Sequence, residues 1–314
     1  MRVFVAGASG AIGTPLLPRL LAAGHEVTGM TRREEKAAEI RAAGAEAVVC
    51  DAFDAAGLSA AVAAARPEVV VHALTALPPK FNPKADYLAA TNRVRSEGTR
   101  NLVAAARAAG TRRIVAESVA FFYEPEGDWV KDEEARLFVD PPGRFAPGVE
   151  ALRALESGVL EAEGIEGVVL RFGWFYGPGT YYDRGGSVAE ETRKRRYPVI
   201  GSGAGTFSFI HIDDAAEALA AAVGQGAPGV YNVVDDEPAP LREWLPVYAA
   251  ALGAKPPRKV PAWLARLAAG KDLASTAVTM RGASNAKAKR ELGWAPAHPT
   301  WRQGFADSLA SRRD

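Results

Sequence analysis

Residues Val3 to Gly13 read Val-Phe-Val-Ala-Gly-Ala-Ser-Gly-Ala-Ile-Gly, a short apolar run followed by glycines at 7, 10 and 13. An apolar run that stops at a glycine and restarts as a helix is the opening turn of a βαβ unit. Each glycine has its own job there. Gly7 permits the sharp turn, Gly10 lets the backbone approach a pyrophosphate, and Gly13 lets the helix pack close on the strand. The N-terminus of that helix offers free N–H groups and a positive dipole end to phosphates. Gly7, Ser9, Gly10, Ala11, Ile12 and Gly13 are therefore expected to cradle a dinucleotide.

The pattern behind the loop agrees. Val3–Ala6, Glu26–Met30, Ala47–Val49, Val69–His72, Arg113–Ala116 and Val168–Leu170 are brief runs rich in Val and Ile, as strands buried on both faces should be. Helical stretches near 11–23, 34–43, 57–65, 86–109 and 149–163 separate them. Several end at a glycine (Gly24, Gly44, Gly110, Gly164), which tolerates the left-handed conformation past a helix end. The alternation predicts an α/β fold, a doubly wound parallel Rossmann sheet over residues 1–171. After residue 171 the rhythm breaks into a Gly-, Pro- and aromatic-rich stretch, Gly173–Gly186. Short strands (Thr206–Ile210, Val230–Val234) and helices (213–223, 241–252, 261–267, 285–292) follow. Residues 172–314 are expected to form mainly a smaller C-terminal substrate lobe, with some segments returning to the Rossmann domain. Trp244, Trp263, Trp294 and Trp301 read as core anchors of that lobe, and Pro78-Pro79 and Pro141-Pro142 as loop punctuation.

The ends of the strands carry the cofactor reading. An NAD-binding domain usually places Asp or Glu at the end of the second strand, to accept the ribose 2′-hydroxyl. Here Thr31 is followed by Arg32 and Arg33. A carboxylate would repel a 2′-phosphate, whereas a guanidinium can pair with it, so NADP is expected over NAD, with NAD left open. The alternative is that both arginines cap a surface loop, since Glu34 and Glu35 follow. Asp51 and Ala52, after the third strand, are placed to meet the adenine. Ala73, Leu74 and Thr75 end the fourth strand, and Phe172 and Gly173 the sixth, where backbone should pass the cofactor. His72 reads as a packed strand-end residue.

Composition narrows the remaining classes. The chain has 314 residues, a formal net charge of +1 and one cysteine, Cys50. It can bury a sizeable core without disulfides or structural metal. Balanced charge gives no nucleic-acid or membrane footprint, and no apolar run approaches the ~20 residues of a membrane span. Met1-Arg2 leads directly into the first strand, so a cytoplasmic, soluble protein is expected.

These residues together resemble the extended short-chain dehydrogenase/reductases, in particular the NAD(P)-dependent epimerase/dehydratase group. The resemblance rests on the glycine loop, Asp51, Gly98-Thr99-Arg100-Asn101-Leu102, Ser118, Leu170 to Gly179, and Phe209-Ile210-His211-Ile212-Asp213-Asp214. It implies a catalytic Ser at the end of the fifth strand and a Tyr-x-x-x-Lys couple on the following helix. Ser118 supplies the first. The couple is missing: aligned through Glu156, Gly148 and Leu152 stand in its place, and no tyrosine in the chain has a lysine four residues later.

A phenol from elsewhere is the expected replacement. Tyr123 lies just past Ser118, and Tyr181 lies beside Tyr182 on a Gly-flanked loop that suits a lid, with Arg184 near enough in sequence to lower its pKa. Tyr176 is a further candidate. Glu117 and Glu150 would serve as acids or bases if burial raised their pKa. Arg193-Lys194-Arg195-Arg196 suits a phosphate-bearing substrate, or a helix face balanced by Glu190 and Glu191. The expected function is an NADP-dependent oxidoreductase or epimerase acting on a hydroxyl or carbonyl of a small molecule, a sugar nucleotide first. A homodimer is an open arrangement. The competing class is a non-catalytic NADP-binding sensor or scaffold.

Overall fold

The computed structural model describes residues 1–78, 80, 88–141, 143 and 145–310. The first half runs β1 (Arg2–Ala6), α1 (Gly13–Ala22), β2 (Glu26–Thr31), α2 (Glu34–Ala42), β3 (Glu46–Val49), α3 (Ala55–Ala65) and β4 (Val69–His72). It continues with α4 (Ala89–Arg93), a π-helical turn (Val94–Gly98), α5 (Thr99–Ala108), β5 (Arg113–Val119), β6 (Val130–Lys131), α6 (Ala146–Leu160) and β7 (Glu166–Phe172). Next come β8 (Trp174–Tyr176), α7 (Ser187–Arg193), β9 (Val199–Ile200), β10 (Thr206–Phe207), β11 (Phe209–His211), α8 (Ile212–Gly224) and β12 (Gly229–Val233). The chain closes with β13 (Ala239–Pro240), α9 (Leu241–Ala251), β14 (Lys259–Val260), α10 (Ala262–Ala269), α11 (Lys271–Thr279), β15 (Gly282–Ala283), α12 (Ala286–Glu291) and α13 (Trp301–Leu309). Asp86 and Tyr87, at the start of the helix expected over 86–109, lie outside the described residues, as do Pro79 and Pro142.

The main sheet has seven strands in the order β12-β7-β5-β4-β1-β2-β3. Every pairing in it is parallel. Alternate residues of each strand feed opposite cores, because successive side chains point to opposite faces. Val3 and Val5 pack with Leu16 and Leu20 of α1 and Leu219 and Val223 of α8. Phe4 and Ala6 pack with Leu58 of α3, Leu102 of α5 and Leu155 of α6. Strand order reverses between β1 and β4, and a crevice opens at the C-terminal ends of strands at such a point.

A second, aromatic core gathers Tyr176, Tyr182, Phe209, Trp244, Tyr248 and Phe305. Trp244 and Trp301 are fully buried in it. The other two tryptophan expectations are corrected. Trp294 packs in the core under the main sheet, where its indole N–H donates to Asp214 O at 3.1 Å. Trp263 is 64% exposed on α10. The run Thr206–Ile210 is likewise two strands: β10 pairs with β13 and β11 with β8. Among the described residues, no helix is long and apolar enough to cross a membrane.

Candidate active site

A cavity of about 820 Å³ lies at the strand reversal. Gly7 to Ala11 enter it after β1 (Ala8 excepted), Thr31 to Arg33 at the end of β2, and Ala73 to Thr75 after β4. Glu117, Val119, Phe121 and Phe122 come from the end of β5, and Gly173 to Phe175 from the end of β7. Leu88, Arg95, Phe145, Tyr181, Thr276 and Met280 also line it.

The glycine loop fits a dinucleotide. Gly7 sits at φ +96°, and a Cβ there would lie 2.2 Å from Ala73 O. A Cβ at Gly13 would lie 2.2 Å from Gly7 O. Both positions therefore exclude a side chain. At Gly10 the one atom within 4 Å of an added Cβ is Gly7 O, at 3.2 Å, so that side faces the open cavity. The Ser9 and Thr31 hydroxyls lie 3.0 Å apart and tie the loop to the end of β2. Arg32 is exposed at the cavity rim and makes no hydrogen bond or ion pair among the described residues, whereas Arg33 pairs with Glu35 at 3.4 Å. Asp51 and Ala52 sit apart from this wall. The Asp51 carboxylate accepts Phe53 N–H at 2.9 Å, and Ala52 O accepts from Asn101 Nδ2 at 2.9 Å. Ile12 and Phe172 are buried in the core beneath the site. His72 is buried, with Nε2 2.8 Å from the Thr99 hydroxyl, and burial lowers its pKa to about 4.

β5 sorts the residues at its end onto two faces. The strand pairs with β7 as far as Val119, three residues beyond the Ala116 end expected from sequence. Ser118 therefore stands inside the sheet and faces α6, where its hydroxyl donates to Glu156 Oε1 at 2.7 Å. Arg171 of β7 clamps the same carboxylate through Nε (2.8 Å) and Nη2 (2.6 Å). Arg171 Nη1 donates to the Tyr123 hydroxyl at 3.0 Å, which donates to Asn232 Oδ1 at 2.6 Å. Ser118 and Tyr123 are each 1% exposed, and neither lines the cavity. The structure thus puts these two expected catalytic residues in a buried polar network rather than beside the cofactor space.

Glu117, one residue earlier, faces the other way and lines the cavity. Among the described residues it is the one carboxylate in that wall. Withdrawal from water pushes its pKa up to about 7, against the opposing pull of the Arg95 guanidinium. Arg95 is 8% exposed on the π-helical turn. Tyr181 also lines the cavity, and its hydroxyl donates to Pro78 O at 2.5 Å, which bridges the loops after β8 and β4. Arg184, proposed as its tuner, instead donates to Leu309 O.

Residues 3–233 match the family described as NAD dependent epimerase/dehydratase. The chain belongs to that family. A Streptomyces protein named 3-diazoavenalumate denitrifying reductase is 48% identical over 306 residues, 97% of this chain and 99% of that one. The UDP-glucose 4-epimerase of Thermus thermophilus, solved with NAD, is 26% identical, with a TM-score of 0.72 and 98% of each chain covered. A human epimerase family protein solved with NADPH shares the fold, with a TM-score of 0.73 at 23% identity over 99% of this chain and 100% of that one. The chain is thus an NAD(P)-dependent enzyme, and the cofactor-only sensor loses its footing.

The positions where the resemblance implies a Tyr–Lys couple fall on α6. Gly148 and Leu152 stand where the Tyr–Lys couple is expected, and Leu152 is fully buried. The other phenols are no closer to proton transfer. Tyr176 is buried outside the cavity wall, and burial holds its pKa far above the phenol range. Tyr182 lines the cavity but is 3% exposed, and burial raises its pKa likewise. Glu150 is exposed on α6. The basic run also lies outside the cavity wall. Lys194 pairs with Glu190, Arg196 with Glu191 at 3.9 Å, and Arg193 and Arg195 donate to Arg184 O and Pro256 O. Sequence reasoning missed Arg95 altogether. Its position inside an amphipathic helical stretch gave no sign that a π-helical turn would bury it beside the cavity.

Proposed function

We propose that this enzyme is an NADP-dependent reductase that moves a hydride onto a diazo-bearing, planar small molecule with release of dinitrogen. The observation that carries the reading is the cavity wall beyond the cofactor loop. It joins aromatic faces (Phe121, Phe122, Phe145, Trp174) to one carboxyl group and lacks a Tyr–Lys couple. Hydride addition to a carbonyl makes an alkoxide, and the family's Tyr–Lys couple is the positioned donor that protonates it. A diazonium group is already cationic, and adding hydride neutralises it, so no alkoxide forms. The 48% identity to a denitrifying reductase along nearly the whole chain supports the same chemistry. The wall fits a sugar nucleotide poorly. Away from Arg32 and Arg33 its one cation among the described residues is Arg95, whereas a diphosphate calls for paired guanidinium or ammonium groups.

The residues to hold the dinucleotide are the glycine loop, Ala73 to Thr75, and Arg32 at the 2′-phosphate. NADPH bound there supplies the hydride. Aromatic walls orient a flat substrate and exclude water, and Tyr181 closes the mouth through Pro78. Arg32→Ala should weaken NADPH by about 10–100-fold, the loss of a charge-assisted pair, and leave NADH unchanged in calorimetric titration. Equal wild-type affinities for the two cofactors would remove the NADP assignment. The substrate class is tested by NADPH consumption with an aryl diazonium carboxylate. The expected product carries C–H where the C–N₂ group was. Turnover of nucleotide sugars, with none of the diazo compound, would overturn the reading.

A further inference from the structure

We propose that Glu117 relays a proton from the terminal nitrogen of the reduced diazo group to the carbon that loses dinitrogen. The inference rests on the denitrifying-reductase reading and adds the order of bond changes to it. Hydride addition to the terminal nitrogen of R–N≡N⁺ gives the neutral diazene R–N=N–H. Dinitrogen cannot leave while that nitrogen keeps its proton. The Glu117 carboxylate takes it. The C–N bond then breaks, its electron pair stays on carbon, and N₂ departs. The Glu117 carboxylic acid returns the proton to that carbon and gives R–H. The sum is R–N₂⁺ plus NADPH giving R–H, N₂ and NADP⁺, with Glu117 unchanged.

Three observations support this role. Glu117 is the one carboxylate in the cavity wall among the described residues, at the end of β5, with Gly7 and Ala73 of the cofactor cradle in the same wall. Apolar side chains share that wall: Val119, Phe121 and Phe122 follow Glu117 on its own segment, and Phe145 packs on Phe122 with ring centroids 6.0 Å apart. The titratable and charged groups in that part of the wall are Arg95 on the π-helical turn and the phenols of Tyr181 and Tyr182. Neither phenol is poised for the relay: Tyr181 donates to Pro78 O, and burial holds Tyr182 far above its ordinary pKa. A relay must also take and release a proton with similar ease. A carboxyl balanced between desolvation and the Arg95 charge, near pH 7, does so. Before the hydride arrives, the ionised form faces a cationic diazonium group, which favours binding.

The test is a single-turnover experiment with an aryl diazonium carboxylate, following NADPH oxidation and C–H product separately. In the wild type the two should rise together. In Glu117→Gln, NADPH oxidation should persist while product lags by about 10²–10⁴-fold, and Glu117→Asp should recover part of that loss. The product-forming step should weaken as pH falls through about 7, where the carboxylate protonates, and that dependence should vanish in Glu117→Gln. In the cofactor-free protein, an infrared carboxylic-acid band should disappear with a midpoint near 7 and be absent from Glu117→Gln. Coupled, wild-type-like rates in Glu117→Gln would overturn the relay and leave the reductase reading standing. A wild type that oxidises no NADPH with the diazonium compound would overturn both.

Discussion

Two glutamates stand at the end of β5, Glu156 packed against it from α6 and Glu117 on the strand itself, and the protein treats them in opposite ways. Glu156 of α6 is locked: Arg171 grips both of its oxygens, and Ser118 donates to one of them. Its partners extend through Tyr123 to Asn232, so the donors and acceptors of the network answer one another. Glu117 has an apolar neighbourhood, a single arginine acting on it, and an open cavity in front. A satisfied buried ion pair has little left to offer a substrate. A carboxyl raised toward neutrality in a cleft is poised to move protons. Ser118 and Glu117 are sequence neighbours, and the pleat of one strand sends one to structure and the other to the site.

The comparison breaks first on stability. Glu156→Ala strips the buried Arg171 of its partner and should cost about 3–5 kcal/mol in denaturant unfolding. A loss under 1 kcal/mol would mean that water reaches the guanidinium and the network is not closed. A smaller effect is expected at the far end of the chain of bonds. Tyr123→Phe removes the link between Arg171 and Asn232 and should cost about 1–3 kcal/mol, with turnover within a few-fold of wild type. A hundredfold drop in turnover at unchanged stability would restore Tyr123 as a proton donor.

Much of the fold was legible because its signals are local. The glycine loop, the Val-rich strands and the helix-ending glycines each act within a few residues, and the sheet follows from their alternation. Of the residues expected to meet a dinucleotide, Gly7, Ser9, Gly10 and Ala11 of the glycine loop, Thr31, Arg32 and Ala73 to Thr75 share one cavity wall for the same reason, while Ile12, Gly13, Asp51, Ala52 and Phe172 lie outside it. The reacting end was not legible. Which face Ser118 takes depends on how far β5 pairs with β7, and ending the strand at Ala116 left Ser118 free to turn toward the cofactor. The pairing continues to Val119, and alternation then decides the matter. Glu117 was named only as a residue that burial would activate, since the burial of a strand-end side chain and the charge of Arg95 acting on it are set by segments distant in sequence. Trp263 failed for a similar reason: an indole marks a core only when another element covers it, and α10 leaves this one exposed.

The most direct measurement pairs Ser118→Ala with Glu117→Gln, comparing turnover and melting temperature at pH 8. Ser118→Ala should melt lower, by the loss of a hydrogen bond to a charged group, about 1.5–3 kcal/mol, and keep nearly full turnover. Glu117→Gln should lose about 10²–10⁴-fold in turnover. Its melting temperature should hold or rise. A carboxyl raised to about 7 in the folded state binds more protons than in the unfolded chain, so its contribution to stability falls as pH climbs to that value. At pH 8 the ionised group weighs against folding, and glutamine removes that burden. The reverse pattern, Ser118→Ala inactive and Glu117→Gln fully active, would contradict the assignment of the two faces.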